Sequence, residues 1–164
     1  MSMITSMFYA QSTDEIESFD RANKTVLSAI PHLMGKDYFI WEGKVGQMTV
    51  ISKINNIYTY YNLELGRTEA AGDKIIDTRT INYNPVLDKI FTTFVPKAGV
   101  TKYQSVYPRE FLQLTYYFAI YKNGVKTFDT CFPHTVNGVY IESPIDDETL
   151  DFLYDNVLVN PDKL

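Results

Sequence analysis

The densest chemistry in the chain is the segment Asp129-Thr-Cys131-Phe-Pro-His134, which gathers the only cysteine, one of two histidines and a carboxylate. A thiolate beside an imidazole is a nucleophile, and all three groups are metal ligands. Their spacing works against both uses. On a regular strand, residues three apart face opposite sides, so Cys131 and His134 meet only if Pro133 bends the chain. The segment reads as a structural cysteine near a turn histidine. His32 follows Pro31 at the end of a predicted helix, where an imidazolium satisfies terminal carbonyls. A nucleophilic pair of Cys131 with His32 or His134 has no positive support in the sequence.

Paired carboxylates for glycoside chemistry would come from Glu42, Glu64, Asp77 and Asp129, all on predicted strands, but no spacing selects a pair. The glycines match neither G-x-x-x-x-G-K-[ST] nor G-x-G-x-x-G, and Gly43 and Gly46 in EGKVGQ read as a hairpin turn. A closed zinc site takes about four Cys or His ligands, and the chain holds three such residues. A single cysteine makes no internal disulfide. No catalytic residue, metal or cofactor is therefore assigned. Asn23-Lys24-Thr25 matches the glycosylation sequon but falls inside a predicted helix.

Net charge is −5, with 15 basic against 20 acidic residues, which removes the basis for general nucleic-acid binding. The acids Glu142, Asp146, Asp147, Glu148, Asp151, Asp155 and Asp162 concentrate at the carboxy end, as a solvated helix and tail would. No run approaches the ~18 consecutive apolar residues of a membrane span. The opening MSMITSMFYAQ is apolar but lacks the basic n-region of a signal peptide. It reads as a retained arm whose Met3, Ile4, Met7 and Phe8 need covering by the domain or by a neighbour. An intracellular or virion location follows, with a secreted or periplasmic protein whose signal is truncated as the alternative.

These groups are to be positioned by one domain, since 164 residues are few for two cores and no linker or repeat interrupts the pattern. Ser12 and Glu15 form a capping box for a helix from about Thr13 to Ile30, stopped by Pro31. Strands follow at Tyr38 to Glu42, Gln47 to Ile54 and Ile57 to Leu65, the last two joined by Asn55-Asn56. Alternation puts Ile57, Thr59, Tyr61, Leu63 and Leu65 on one face, and Tyr58, Tyr60, Asn62 and Glu64 on the other. One face is expected in the core and the other partly wet. Gly66 to Lys74 lacks periodicity and reads as an exposed loop before a strand from Ile75 to Tyr83. Asn84-Pro85 caps a short helix bearing Val86, Leu87, Ile90, Phe91 and Phe94.

A period of two from Phe111 to Tyr121 predicts another strand, and Asn123-Gly124 and Asn137-Gly138 continue it as a three-stranded meander. Ser143-Pro144 and the acids after it start a last helix with Leu150, Leu153, Tyr154 and Val157 as its buried stripe. The fold class is α+β: a mainly antiparallel sheet of six to seven strands with amino-terminal, middle and carboxy-terminal helices. The division is an arm over 1–12, a domain over 13–160 and a short tail over 161–164.

Thirteen tyrosines and ten phenylalanines are the distinctive surplus. Tyrosine pairs apolar area with a polar tip and favours interfaces, which makes Tyr58, Tyr60, Tyr117 and Tyr121, with the arm, the candidate interaction surface. The resulting expectation is a non-enzymatic structural or interaction protein that self-associates or docks into a larger assembly, such as a phage head, neck or tail. Its partner is protein, with no nucleic acid and no membrane span. A secreted module binding a glycan or protein on an aromatic sheet face, and a small cysteine enzyme, are the alternatives.

Overall fold

The computed structural model describes residues 22–44, 46–66, 72–98, 115–133, 135–136, 139–140 and 143–164. A helix (α1) covers 22–29 and ends in a 3-10 turn at Pro31–Leu33. Four strands follow as a meander: β1 (Asp37–Lys44), β2 (Gln47–Ile54), β3 (Ile57–Glu64) and β4 (Lys74–Ile81). Helix α2 (Pro85–Thr92) leads across to β5 (Thr115–Lys122) and β6 (Val125–Pro133). A two-stranded ribbon, β7 (Thr135–Val136) and β8 (Val139–Tyr140), precedes α3 (Asp147–Phe152). The chain closes through π-helical turns at Leu153–Val159 and a 3-10 turn at Pro161–Lys163. The α+β architecture expected from the sequence is the one observed.

The main sheet has six strands in the order β4-β3-β2-β1-β5-β6, and every neighbouring pair is antiparallel. Its hairpins are set by local chemistry. Asn55 and Asn56 adopt φ of 51° and 60°, and Asn123 and Gly124 adopt 49° and 75°, the two positive angles of a type I′ turn. Gly46, at φ 78°, turns β1 into β2. Asn84 caps α2 by accepting from the Val86 and Leu87 amides at 2.8 and 3.4 Å, with Pro85 in the position where a missing N–H costs nothing.

Both faces of the central strands are covered, so the face expected to be partly wet is wet only toward the edge of the sheet at β4. One face carries Phe39, Trp41, Ile51, Tyr58, Tyr60 and Phe118 under α2, α3 and the π-helical turns. The other carries Tyr38, Ile40, Val50, Tyr61, Tyr117 and Tyr121 under α1. Central strands between two helical layers need apolar residues at consecutive positions, and Tyr38 to Trp41 and Tyr116 to Tyr121 are buried throughout. The polar tip of Tyr38 is accommodated by donating to Asn23 Oδ1 at 2.5 Å, which gives the sequon asparagine a structural role.

The last helix departs from its predicted stripe. Leu153 and Val157 are buried as expected, but Tyr154 is exposed and Phe152 takes its place inside. A π-helical turn bonds i to i+5 and so widens the repeat, which leaves Tyr154 at the surface with its ring edge-on to Tyr116 at 6.4 Å. The residues beyond it are not a free tail, because Arg79 of β4 holds the Pro161 carbonyl and Asp162. The helix predicted over residues 13 to 21, the tip of the loop between Gly66 and Gly72, and residues 111–114 lie outside the described residues. The ends of that loop are brought together by the Gly66 N–H donating to Asp73 Oδ1 at 2.9 Å.

Candidate functional site

A cavity of about 250 Å³ opens between the sheet and the carboxy-terminal segment. Strands β1, β2 and β3 supply its floor through Trp41, Thr49 and Tyr60, and its polar rim through Gln47 and Asn62. Val157, Leu158 and Pro161 form the opposite wall. Adjacent strands place these side chains on one face: Trp41 lies opposite Thr49, and Thr49 opposite Asn62.

Gly43 makes room for this arrangement. It lies two residues after Trp41 on the same face, and a Cβ there would sit 2.7 Å from Trp41 Nε1 and 3.2 Å from Leu158 Cδ2. The indole N–H is buried with no hydrogen-bond partner among the described residues. One face of the indole stacks on Tyr116, with centroids 5.4 Å apart and planes 6° from parallel, which fixes the ring. Tyr60 is held from its other side by Arg79, whose guanidinium carbon lies 4.8 Å over the ring. Burial pushes the Tyr60 phenol up in pKa, and the Thr49 hydroxyl and the Arg79 charge pull it partly back. These are groups that bind and orient by hydrogen bonds.

Comparison of the chain with protein families, with curated proteins and with solved structures finds no match. The site therefore rests on its own geometry.

The predicted site residues are placed elsewhere. Tyr58, Tyr60, Tyr117 and Tyr121 are 2 to 5% exposed, so they pack the two cores and do not form an open aromatic face; only Tyr60 reaches the cavity. Met3, Ile4, Met7 and Phe8 lie outside the described residues, as do His134 and the side chain of Cys131. Asp129 is ion-paired to Lys126 at 3.1 Å. His32 does not cap the helix carbonyls; its Nε2 lies 2.9 Å from Tyr61 Oη, since the 3-10 turn after Pro31 swings the ring onto the sheet.

The four strand carboxylates stay apart. Alternation puts Glu42 and Asp129 on the α1 face, and Glu64 and Asp77 on the other. Burial raises the Glu42 pKa. No group of three metal-ligating side chains forms among the described residues, and no helix there is long and apolar enough to cross a membrane.

The cavity was not readable from the sequence. Its floor and its opposite wall are 97 to 120 residues apart, and nothing in the spacing of Trp41 and Gly43 names Leu158 as a neighbour. The one signal available was the glycine itself, on a strand that tolerates glycine poorly unless something approaches closely.

A second feature is the outer edge of β4. This strand ends the main sheet and pairs only with β3 among the described residues. Ile75 and Ile76 are 42 and 48% exposed there.

Proposed function

We propose that this chain is a non-enzymatic interaction protein that self-associates through the outer edge of β4. The observation that supports the reading is the edge itself: eight residues, Lys74-Ile-Ile-Asp77-Thr-Arg79-Thr-Ile81, rich in β-branched side chains and ending the sheet. An open edge of this kind is a template for another strand.

The sequence of β4 is complementary to itself. In an antiparallel pair of two copies centred on Thr78, Ile75 of one lies opposite Ile81 of the other and Ile76 opposite Thr80, and the twofold axis makes each such pair twice. β-Branched pairs across strands are favourable. Docking into a larger assembly, such as a virion, would use the same edge.

The test is molar mass by light scattering after size exclusion, over a wide concentration range. The wild-type chain is expected to give a dimer or larger species, and Ile76→Lys a monomer with an unchanged circular dichroism spectrum. Residues directly opposite in an antiparallel pair lie about 4.5–5.5 Å apart, within disulfide reach. Thr78→Cys is therefore expected to cross-link as a dimer on oxidation, where the wild type with Cys131 alone does not. A wild-type monomer at all concentrations would sink the proposal.

A further inference from the structure

The cavity beneath the carboxy-terminal segment is independent of the β4 edge, and its chemistry points to a ligand. We propose that it binds a small, neutral, polyhydroxylated molecule the size of a single sugar ring.

Size sets the first limit. A volume of about 250 Å³ corresponds to roughly eight waters at bulk density and lies just below the range of sites for drug-sized ligands. One ring with its hydroxyls fits the space.

The polar groups set the second. The rim offers the side-chain amides of Gln47 and Asn62, each of which both donates and accepts. A vicinal diol has the same dual character, so it can satisfy an amide at both ends with no charge involved. Among the described residues, the lining contains neither a carboxylate nor a cation. The guanidinium of Arg79 beside it is committed to the Tyr60 ring, to Asp162 and to the Pro161 carbonyl. An anionic or cationic ligand would enter without a counter-charge.

The apolar wall sets the third. Trp41, Val157 and Leu158 line the cavity, with the indole fixed by its stack on Tyr116, and these side chains lie against the C–H surface of the ring.

Trp41 is the only tryptophan in the chain, so its emission reports on the cavity directly. The experiment titrates the full chain with glucose, galactose, N-acetylglucosamine and myo-inositol, and with glucose 6-phosphate and protonated glucosamine as charged controls. At least one neutral probe is expected to change the emission saturably, with the charged controls giving no saturable change. Asn62→Leu is expected to weaken that binding at least tenfold, and Gln47→Leu likewise, with urea unfolding midpoints near the wild-type value. Should a leucine variant fail to fold, Asn62→Ser serves in its place. A response that is absent, or linear in concentration for every neutral probe, overturns the assignment. So does an equal response to the charged controls, or saturable binding unaffected by both substitutions.

Discussion

The Arg79 guanidinium carbon lies 4.8 Å above the centroid of the Tyr60 ring, while the same side chain reaches Asp162 Oδ1 at 3.0 Å and the Pro161 carbonyl. A residue of the edge strand thus clamps the end of the chain onto the sheet. The exposed ion pair itself is worth little. The stacked cation and the hydrogen bond to a carbonyl carry the contact. Arg79→Ala is expected to lower unfolding stability by about 1–2 kcal/mol and to expose Trp41, as urea titration followed by tryptophan emission would read. Arg79→Lys, which keeps the charge but not the planar fork, is expected to recover less than half of that loss. Full recovery by lysine would show that charge alone makes the clamp.

Helix α2 is fastened to the sheet by Asp88, whose Oδ1 accepts from Lys53 Nζ at 2.6 Å and from Tyr58 Oη at 2.8 Å. The Lys53 bond, then the Tyr58 bond, hold the Asp88 carboxyl below its ordinary pKa. A carboxylate depressed in the folded state contributes stability that is present above its unfolded pKa, about 3.9, and lost as pH falls through the folded value. Asp88→Asn is therefore expected to be less stable than wild type above about pH 5, with the gap closing as the solution is acidified below about pH 4. Thermal melts of both proteins from pH 3 to 7 check this. A gap that stays constant across that range would assign the loss to packing.

Much of the scaffold was legible because it depends on neighbours in sequence. The limits of β2, the turns at Asn55-Asn56 and Asn123-Gly124 and the cap at Asn84-Pro85 follow from local backbone preferences. The fate of the tyrosines does not. Tyr58 and Tyr61 occupy opposite faces of β3, and a period of two reads correctly which face each takes. Whether a face is covered depends on helices far along the chain, and tyrosine, apolar in body and polar at its tip, suits either environment. The π-helical turns were equally hidden, since a stripe at 3.6 residues fits Leu150, Leu153, Tyr154 and Val157 until the repeat widens.

Glu42 carries the opposite pH signature to Asp88. It sits on the α1 face of β1, opposite Tyr117 of β5, and burial raises its carboxyl pKa. A carboxyl raised in the folded state is charged there at a cost, which is present above the folded pKa and relieved as pH falls toward the unfolded value near about 4.3. Glu42→Gln is expected to melt at a higher temperature than wild type at pH 7, with the advantage shrinking toward about pH 4. Differential scanning calorimetry at several pH values provides the measurement. A variant less stable than wild type at pH 7 would show that the Glu42 charge is paired and not merely buried.

Gly43 is the position at which the fold and the cavity constrain one another most tightly. The indole of Trp41 lies across the space a side chain would take, with Nε1 only 2.7 Å from an added Cβ and Leu158 Cδ2 at 3.2 Å. Leu158 can give by a few tenths of an ångström, but the indole is held by its stack on Tyr116 and cannot yield without disturbing a second ring. Overpacking of this kind costs typically about 1–3 kcal/mol. Gly43→Ala is expected to lose stability in that range and to shift the emission of the sole tryptophan, both readable in one urea titration. It also fills part of the cavity wall, so any saturable response to a neutral probe should weaken in parallel. A Gly43→Ala protein with wild-type stability and emission would mean that the indole and Leu158 do not meet over Gly43, and the cavity described between them would lose its wall.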